Sequence, residues 1–218
     1  GIDSLDICYL ADSNTSVAST MSFLRMLTKD QFYLEHGQMC TWPQATSYPV
    51  AIPGVHRVLN ALPWSGGGEP VWYEDDARVR NCSVLVAFRN QAMLQAIVGI
   101  LVEFEQKHKH LPVDEQEKLT NALGNQLVSV EPERESPALN RSLLCCHGRG
   151  NTESVSVVLR GNSPYIQTGI FAAEACRKIL LGTHRGKGFM SPAGAFGARE
   201  MIAAIAASGQ LAWDTRTV

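Results

Sequence analysis

The sequence predicts an α+β fold: a mixed or antiparallel sheet of about five to six strands, with helices packed mainly on one face. Three observations predict it. Two short runs, "LDICYLA" (5–11) and "CSVLVAFR" (82–89), are dense in apolar and β-branched residues and read as strands. "NQAMLQAIVGILVEFEQKHK" (90–109) and "NSPYIQTGIFAAEACRKILLG" (162–182) repeat apolar residues at helical spacing behind polar starts. "ALNRSLLCCHGRG" (138–150) and "SVSVVLRG" (154–161) flank a Gly/Asn turn and read as a hairpin.

The remaining elements follow in order. "DSNTS" supplies a loop and cap ahead of a helix over Val17–Leu27. "QFYLEHGQMCTW" (31–42) is strand with a turn at Gly37. Residues 43–80, with "SGGGEP", are rich in Pro and Gly and predict an irregular excursion with short extended pieces. Asn90 is placed to cap the 90–109 helix, and a more polar helix covers Val113–Leu123. The 162–182 segment is a capped helix that Gly182 ends. In "KGFMSPAGAFGAREMIAAIAASGQ" (187–210), Ser191 suits an N-cap and Pro192 the first helical position. That helix is expected to run unbroken to Gly209, and "QLAW" closes the chain as a strand. One domain over 1–218 is expected, long enough to bury a sizeable core.

Composition narrows the function. A net charge of −2 with 18% charged residues shows no basic bias toward nucleic acid. The longest apolar run, Ala96–Val102, stops at Glu103, far short of a membrane span. With no signal peptide, a cytoplasmic location is expected. Six cysteines without a C-x-x-C pair read as reduced core thiols rather than a zinc site or disulfide framework. The chain begins at Gly1 and enters a strand at once, which reads as a piece of a longer protein.

No catalytic motif is self-evident. "GRGN" (148–151) lies between two strands and reads as a hairpin turn, not a phosphate cradle, and "GGG" (66–68) fits no dinucleotide fingerprint. His108 and His110 sit at a polar helix end. Strand alternation puts Cys145 and His147 on one face and Cys146 on the other. A thiolate–imidazole pair is one reading, and a core cysteine beside a rim histidine is the preferred one. Arg141, His147, Arg149 and Arg160 place positive charge around the hairpin near the 162–182 helix start, the best anion-binding candidates in the chain. Trp42, Trp64, Trp72 and Trp213 suit either an interface or the pinning of the 43–80 excursion.

The final third resembles the C-terminal part of saccharopine dehydrogenase-like oxidoreductases. Tyr165, Thr168 and Gly169 match that family's "D-x-Y-x-x-T-G" turn. Ser191, Pro192, Ala193, Ala195 and Gly197 match its "Thr/Ser-Pro-Ala-x-Ala-x-Gly" helix start. The opening strand and helix are similar, less specifically, to those of the family's second domain, and 43–135 carries little that matches. The resemblance implies the substrate-binding and dimerisation half of an NAD(P)-dependent oxidoreductase, without its Rossmann domain and inactive alone. It implies a small-molecule substrate and a homodimer, and NAD(P) for the full-length protein. Arg141, His147, Arg149, Tyr165, Thr168 and Ser191 are the expected substrate-binding residues. None is assigned to a cofactor or a metal in this chain. Saccharopine-type substrates need grips for several carboxylates and an amine, and the scattered arginines offer no matched set. A non-enzymatic binding or dimerisation module is the alternative.

Overall fold

The computed structural model describes residues 1–12 and 15–217. Part of the expected "DSNTS" loop, Ser13–Asn14, lies outside the described residues. The centre of the molecule is β1 (Ile2–Asp12), which pairs in parallel with β6 (Asn81–Phe88) and antiparallel with β7 (Arg141–Gly150). β7 forms the expected hairpin with β8 (Ser154–Gly161), and β9 (Leu211–Thr217) adds the edge strand. On the far side, β6 meets the hairpin of β2 (Phe32–Glu35) and β3 (Gln38–Thr41) near its start, and β5 (Leu59–Pro63) near its end. β4 (Tyr48–Val50) pairs with β5.

This makes a mixed sheet of nine strands, more than the five to six expected. The excess comes from 31–42, which forms two strands, β2 and β3, and from 43–80, which holds β4 and β5 and a short helix, α2 (Glu69–Tyr73). "LNALP" is too short and too crowded by Pro and Gly to announce itself, yet three of its residues, Leu59, Ala61 and Leu62, are almost fully buried. Aromatic contacts hold the excursion down. Trp64 lies 5.0 Å from Phe23, and Trp42 packs between Tyr33 and Tyr48 at 4.5 and 4.9 Å.

The register sorts the sheet into two faces, because side chains alternate along each strand. One face carries Ile7, Tyr9, Val84, Val86, Phe88 and Leu144. Helices α1 (Val17–Leu27) and α3 (Gln91–Lys107) cover it, burying Leu27, Leu94, Ile97 and Leu101 against Val86 and Phe88. The opposite face is covered only in part. There Cys8, Leu10 and Ala87 pack under Ile52, Leu59 and Ala61. Its other end is polar: Asp6 accepts from Ser83 at 2.9 Å and from Arg149 at 2.8 Å.

Local capping follows the sequence where the partners are close. Ser16 Oγ accepts from Ser19 N–H at 3.1 Å, and Asn90 Oδ1 from Met93 N–H at 3.2 Å. α4 (Val113–Leu127) extends one turn beyond expectation and packs on α1. The last helical stretch is not continuous. Ser191 caps α6 (Pro192–Phe196), and Gly197 at φ 85° breaks it from α7 (Ala198–Ala207). A side chain at Gly197 would meet the Glu200 carboxylate and the Arg185 guanidinium, which bond to each other across it. Left-handed backbone and this close approach both demand glycine there. No helix among the described residues is long and apolar enough to cross a membrane.

Candidate functional site

Helix α5 (Pro164–Leu180) has 17 residues, a largely apolar sequence, and no buried residue. An apolar helix of that length ordinarily hides a stripe against its neighbours. Here two cavities take the place of those neighbours. A cavity of about 750 Å³ separates α5 from the sheet face carrying Tyr9, Leu144 and Leu159, and Ile205 of α7 closes one side. A second, of about 590 Å³, lies between α5 and the 131–135 segment. Both fall within the range of roughly 300–1,000 Å³ typical of small-molecule sites.

The larger cavity is graded. Leu144, Leu159, Phe171 and Ala172 make an apolar wall, while Ser142, Tyr165, Gln167 and Thr168 gather polar groups at the start of α5. No Asp, Glu, Lys, Arg or His lines it among the described residues. Ser142 is fixed by the hairpin and takes a contact of 3.5 Å from Gln167 Nε2. Gln167 also donates to the Asn162 and Gln210 carbonyls, tying the start of α5 to the start of β9. Two glutamates from the 131–135 segment brace the mouth. Glu131 accepts from Val17 N–H at 3.3 Å and Glu135 from Tyr165 N–H at 2.9 Å, each at a helix N-terminus where a carboxylate is favoured. The expected side-chain cap of α5 is absent, since Ser163 adopts φ 52° and its hydroxyl bonds nothing there. Glu135 takes over that role.

The six expected site residues divide into two that meet and four that do not. Tyr165 and Thr168 line the larger cavity. The Tyr165 hydroxyl donates to Ser19 Oγ at 2.8 Å and accepts from Ser16 N–H at 3.2 Å, pinning α5 to α1. Thr168 donates back to the Pro164 carbonyl at 2.9 Å. Arg141, His147 and Arg149 stand on the partly covered face of the sheet, opposite the Tyr9–Leu144 face, because odd positions of β7 share one parity. Arg141 and Arg149 are eight residues apart on one strand, about 26 Å. Each cation is also engaged. Arg141 binds the carbonyls of Pro137, Ala138 and Asn140, Arg149 pairs with Asp6 at 2.8 Å, and Arg160 with Asp214 at 2.7 Å. The expected anion-binding cluster therefore does not form. Ser191 is spent on capping α6, where Gly194 N–H donates to it at 3.1 Å.

The cysteines are divided by the same alternation. Cys145 lies opposite Cys8 on the partly covered face, and Cys146 packs near Ile7 and Cys82 on the other. His147 Nδ1 bonds Ser156 Oγ at 2.8 Å, so no thiolate–imidazole pair is made. Burial pushes the Cys146 thiol up to about 11 and the Cys82 thiol up to about 12. Cys8 is also raised, first by its hydrogen bond with Cys145 and then by burial. Raised folded-state values favour the protonated thiol, so their stabilisation is complete below an ordinary thiol's 9.0 and declines as pH climbs through about 11 and 12. Two results are expected. Iodoacetamide at neutral pH labels exposed Cys176 well before Cys8, Cys82 or Cys146, read by peptide mass spectrometry. Unfolding titrations above pH 9.0 show a falling stability that Cys82→Ala flattens; an unchanged slope would refute the burial argument.

One half-buried polar pair was not visible in the sequence. The Tyr9 hydroxyl, at the cavity floor, donates to Glu69 Oε1 from α2, and burial with the Glu69 charge pushes the Tyr9 phenol up. The other oxygen, Glu69 Oε2, is buried and has no partner among the described residues.

The fold and cavity define an α+β domain with a ligand-sized, uncharged pocket roofed by a single helix. The family to which this chain belongs is one of unknown function (DUF5938), whose model matches residues 1–215. No match is found among curated proteins.

Proposed function

We propose that the chain is the substrate-binding and dimerisation half of a saccharopine dehydrogenase-like, NAD(P)-dependent oxidoreductase, inactive alone. The observation that supports this is the cavity of about 750 Å³ under α5, the helix that carries the resemblance at Tyr165 and Thr168. Dimerisation is supported by the apolar side chains left exposed at the end of α5, Ile179, Leu180 and Leu181, and by half-exposed Trp213 on the edge strand.

The residues present do not fit the cofactor itself. A Cβ at Gly150 would lie 2.1 Å from the Gly1 carbonyl oxygen, and one at Gly148 would meet Ile2 and Val155. Gly67 is pressed against the Glu69 carboxylate, which would repel a pyrophosphate. In this reading a separate Rossmann domain of a longer protein holds the nicotinamide, and the present chain holds the substrate against it.

Titration with NADH and NADPH, followed by nicotinamide fluorescence, tests this on the chain and on the full-length gene product. Binding by the longer protein alone is expected. Tight binding by the 218 residues themselves would overturn the architecture. Binding by neither would replace it with a non-enzymatic binding module.

A further inference from the structure

From the lining of the larger cavity we infer the substrate class: a neutral molecule with a hydrocarbon body and a single carbonyl-type head, not an amino acid or polycarboxylate. The inference rests on the reading of the chain as a substrate-binding half.

The first argument is charge. The larger cavity holds no ionisable Asp, Glu, Lys, Arg or His among the described residues, and the arginines nearest in sequence stand on the opposite face, engaged with Asp6 and Asp214 or with backbone carbonyls. A carboxylate drawn into such a space would lose its hydration and gain no partner, a cost of several kcal/mol that no lining group offsets. Nearby charge makes this worse. Glu131, Glu133 and Glu135, set against Arg134 alone, line the adjoining cavity, and Tyr165 borders both. An anion approaching the mouth meets a like-signed field.

The second argument is the order of the wall. Ser142 lies opposite Ala11 and Gly161 in one row of the sheet, and Leu144 lies opposite Tyr9 and Leu159 in the next. Ser142 is therefore the one polar side chain of its row, and in the row beneath Leu144 and Leu159 stand beside Tyr9, whose hydroxyl is taken by Glu69. Over them, α5 repeats the gradient, from Gln167 and Thr168 to Phe171 and Ala172. The hydroxyl groups are not equivalent. Tyr9, Tyr165 and Thr168 already donate, to Glu69, Ser19 and the Pro164 carbonyl, and Thr15 donates to Thr20 Oγ1, whose own proton goes to the Ser16 carbonyl. Ser142 accepts from Gln167, and its own O–H has no acceptor among the described residues. It is the group placed to donate to a carbonyl oxygen, with the hydrocarbon body lying on Leu144, Leu159 and Phe171.

Binding of Nile red to the chain, read by its fluorescence, and displacement by methyl undecyl ketone, laurate and L-glutamate test the inference. The ketone is expected to displace the dye about tenfold better than laurate, and glutamate not at all. Ala172→Trp, at an exposed position of α5 whose side chain enters the cavity, should weaken dye and ketone by about tenfold with an unchanged melting temperature. Ser142→Ala should weaken the ketone and leave the dye unaffected. Equal displacement by laurate or glutamate, or an Ala172→Trp chain that binds like the original, would overturn the class. The two readings fail separately. A ketone that binds but is never reduced by the cofactor-binding full-length protein overturns the oxidoreductase reading alone. A full-length protein that reduces an amino-acid substrate and ignores the ketone overturns the substrate class alone.

Discussion

Leu94→Ala is expected to remove about 2–5 kcal/mol of stability, a large part of the roughly 5–15 kcal/mol a domain of this kind possesses. Leu94 is 0% exposed and sits between α3 and the sheet, touching the cluster of Leu62, Val86 and Phe88. Its neighbours come from α1, α3, β5 and β6. Those elements are tied by pairing and cannot close on a void independently, so the upper half of the range is expected. Urea unfolding followed by circular dichroism measures it. Leu94→Met, which nearly conserves volume, should cost less than about 1.5 kcal/mol. An alanine variant within that smaller figure would show that α3 is not anchored as described.

Tyr9→Phe is expected to cost about 1–3 kcal/mol, although it deletes one oxygen atom. The phenol is the donor that satisfies Glu69 Oε1, and Glu69 Oε2 already lacks a partner. Without the phenol, the carboxylate is held under α2 with neither oxygen paired. Leaving a half-buried carboxylate unmet costs more than the net worth of the hydrogen bond itself. Removing both partners in Tyr9→Phe/Glu69→Met should therefore recover most of the loss. A double-mutant cycle reads the coupling directly. Strict additivity of the two changes would show that the pair contributes nothing beyond its packing.

What was legible in the sequence was local. Asn90, Ser16 and Ser191 cap helices that begin within three residues of them, and the β7–β8 hairpin closes across a turn. Period-two alternation also placed Cys145 and Cys146 on opposite faces. The same rule puts Arg141, His147 and Arg149 on one face, yet it does not say which face α5 covers. That depends on where Gln167 docks against Asn162 and Gln210. Glu131 reaches the backbone of Val17, more than a hundred residues away, and Tyr9 reaches Glu69. Neither pairing has a local signature. Tyr165 and Thr168 were found through resemblance, whereas Gln167 fills an unspecified position of that turn and Ser142 has no motif around it, and the two emerge only when hairpin and helix meet.

The position of β1 has a consequence for how the molecule is made. It is synthesised before both of its neighbours, residues 81–88 and 141–150. Its backbone groups on one side stay without partners until roughly two-thirds of the chain has been synthesised. Pairing between segments so distant in sequence carries a large loop-closure cost and slows folding. The sheet is therefore completed only after β7, β8 and β9 have been made. Until then an apolar strand with two open edges is exposed to other nascent chains, and aggregation during expression is the hazard this topology creates.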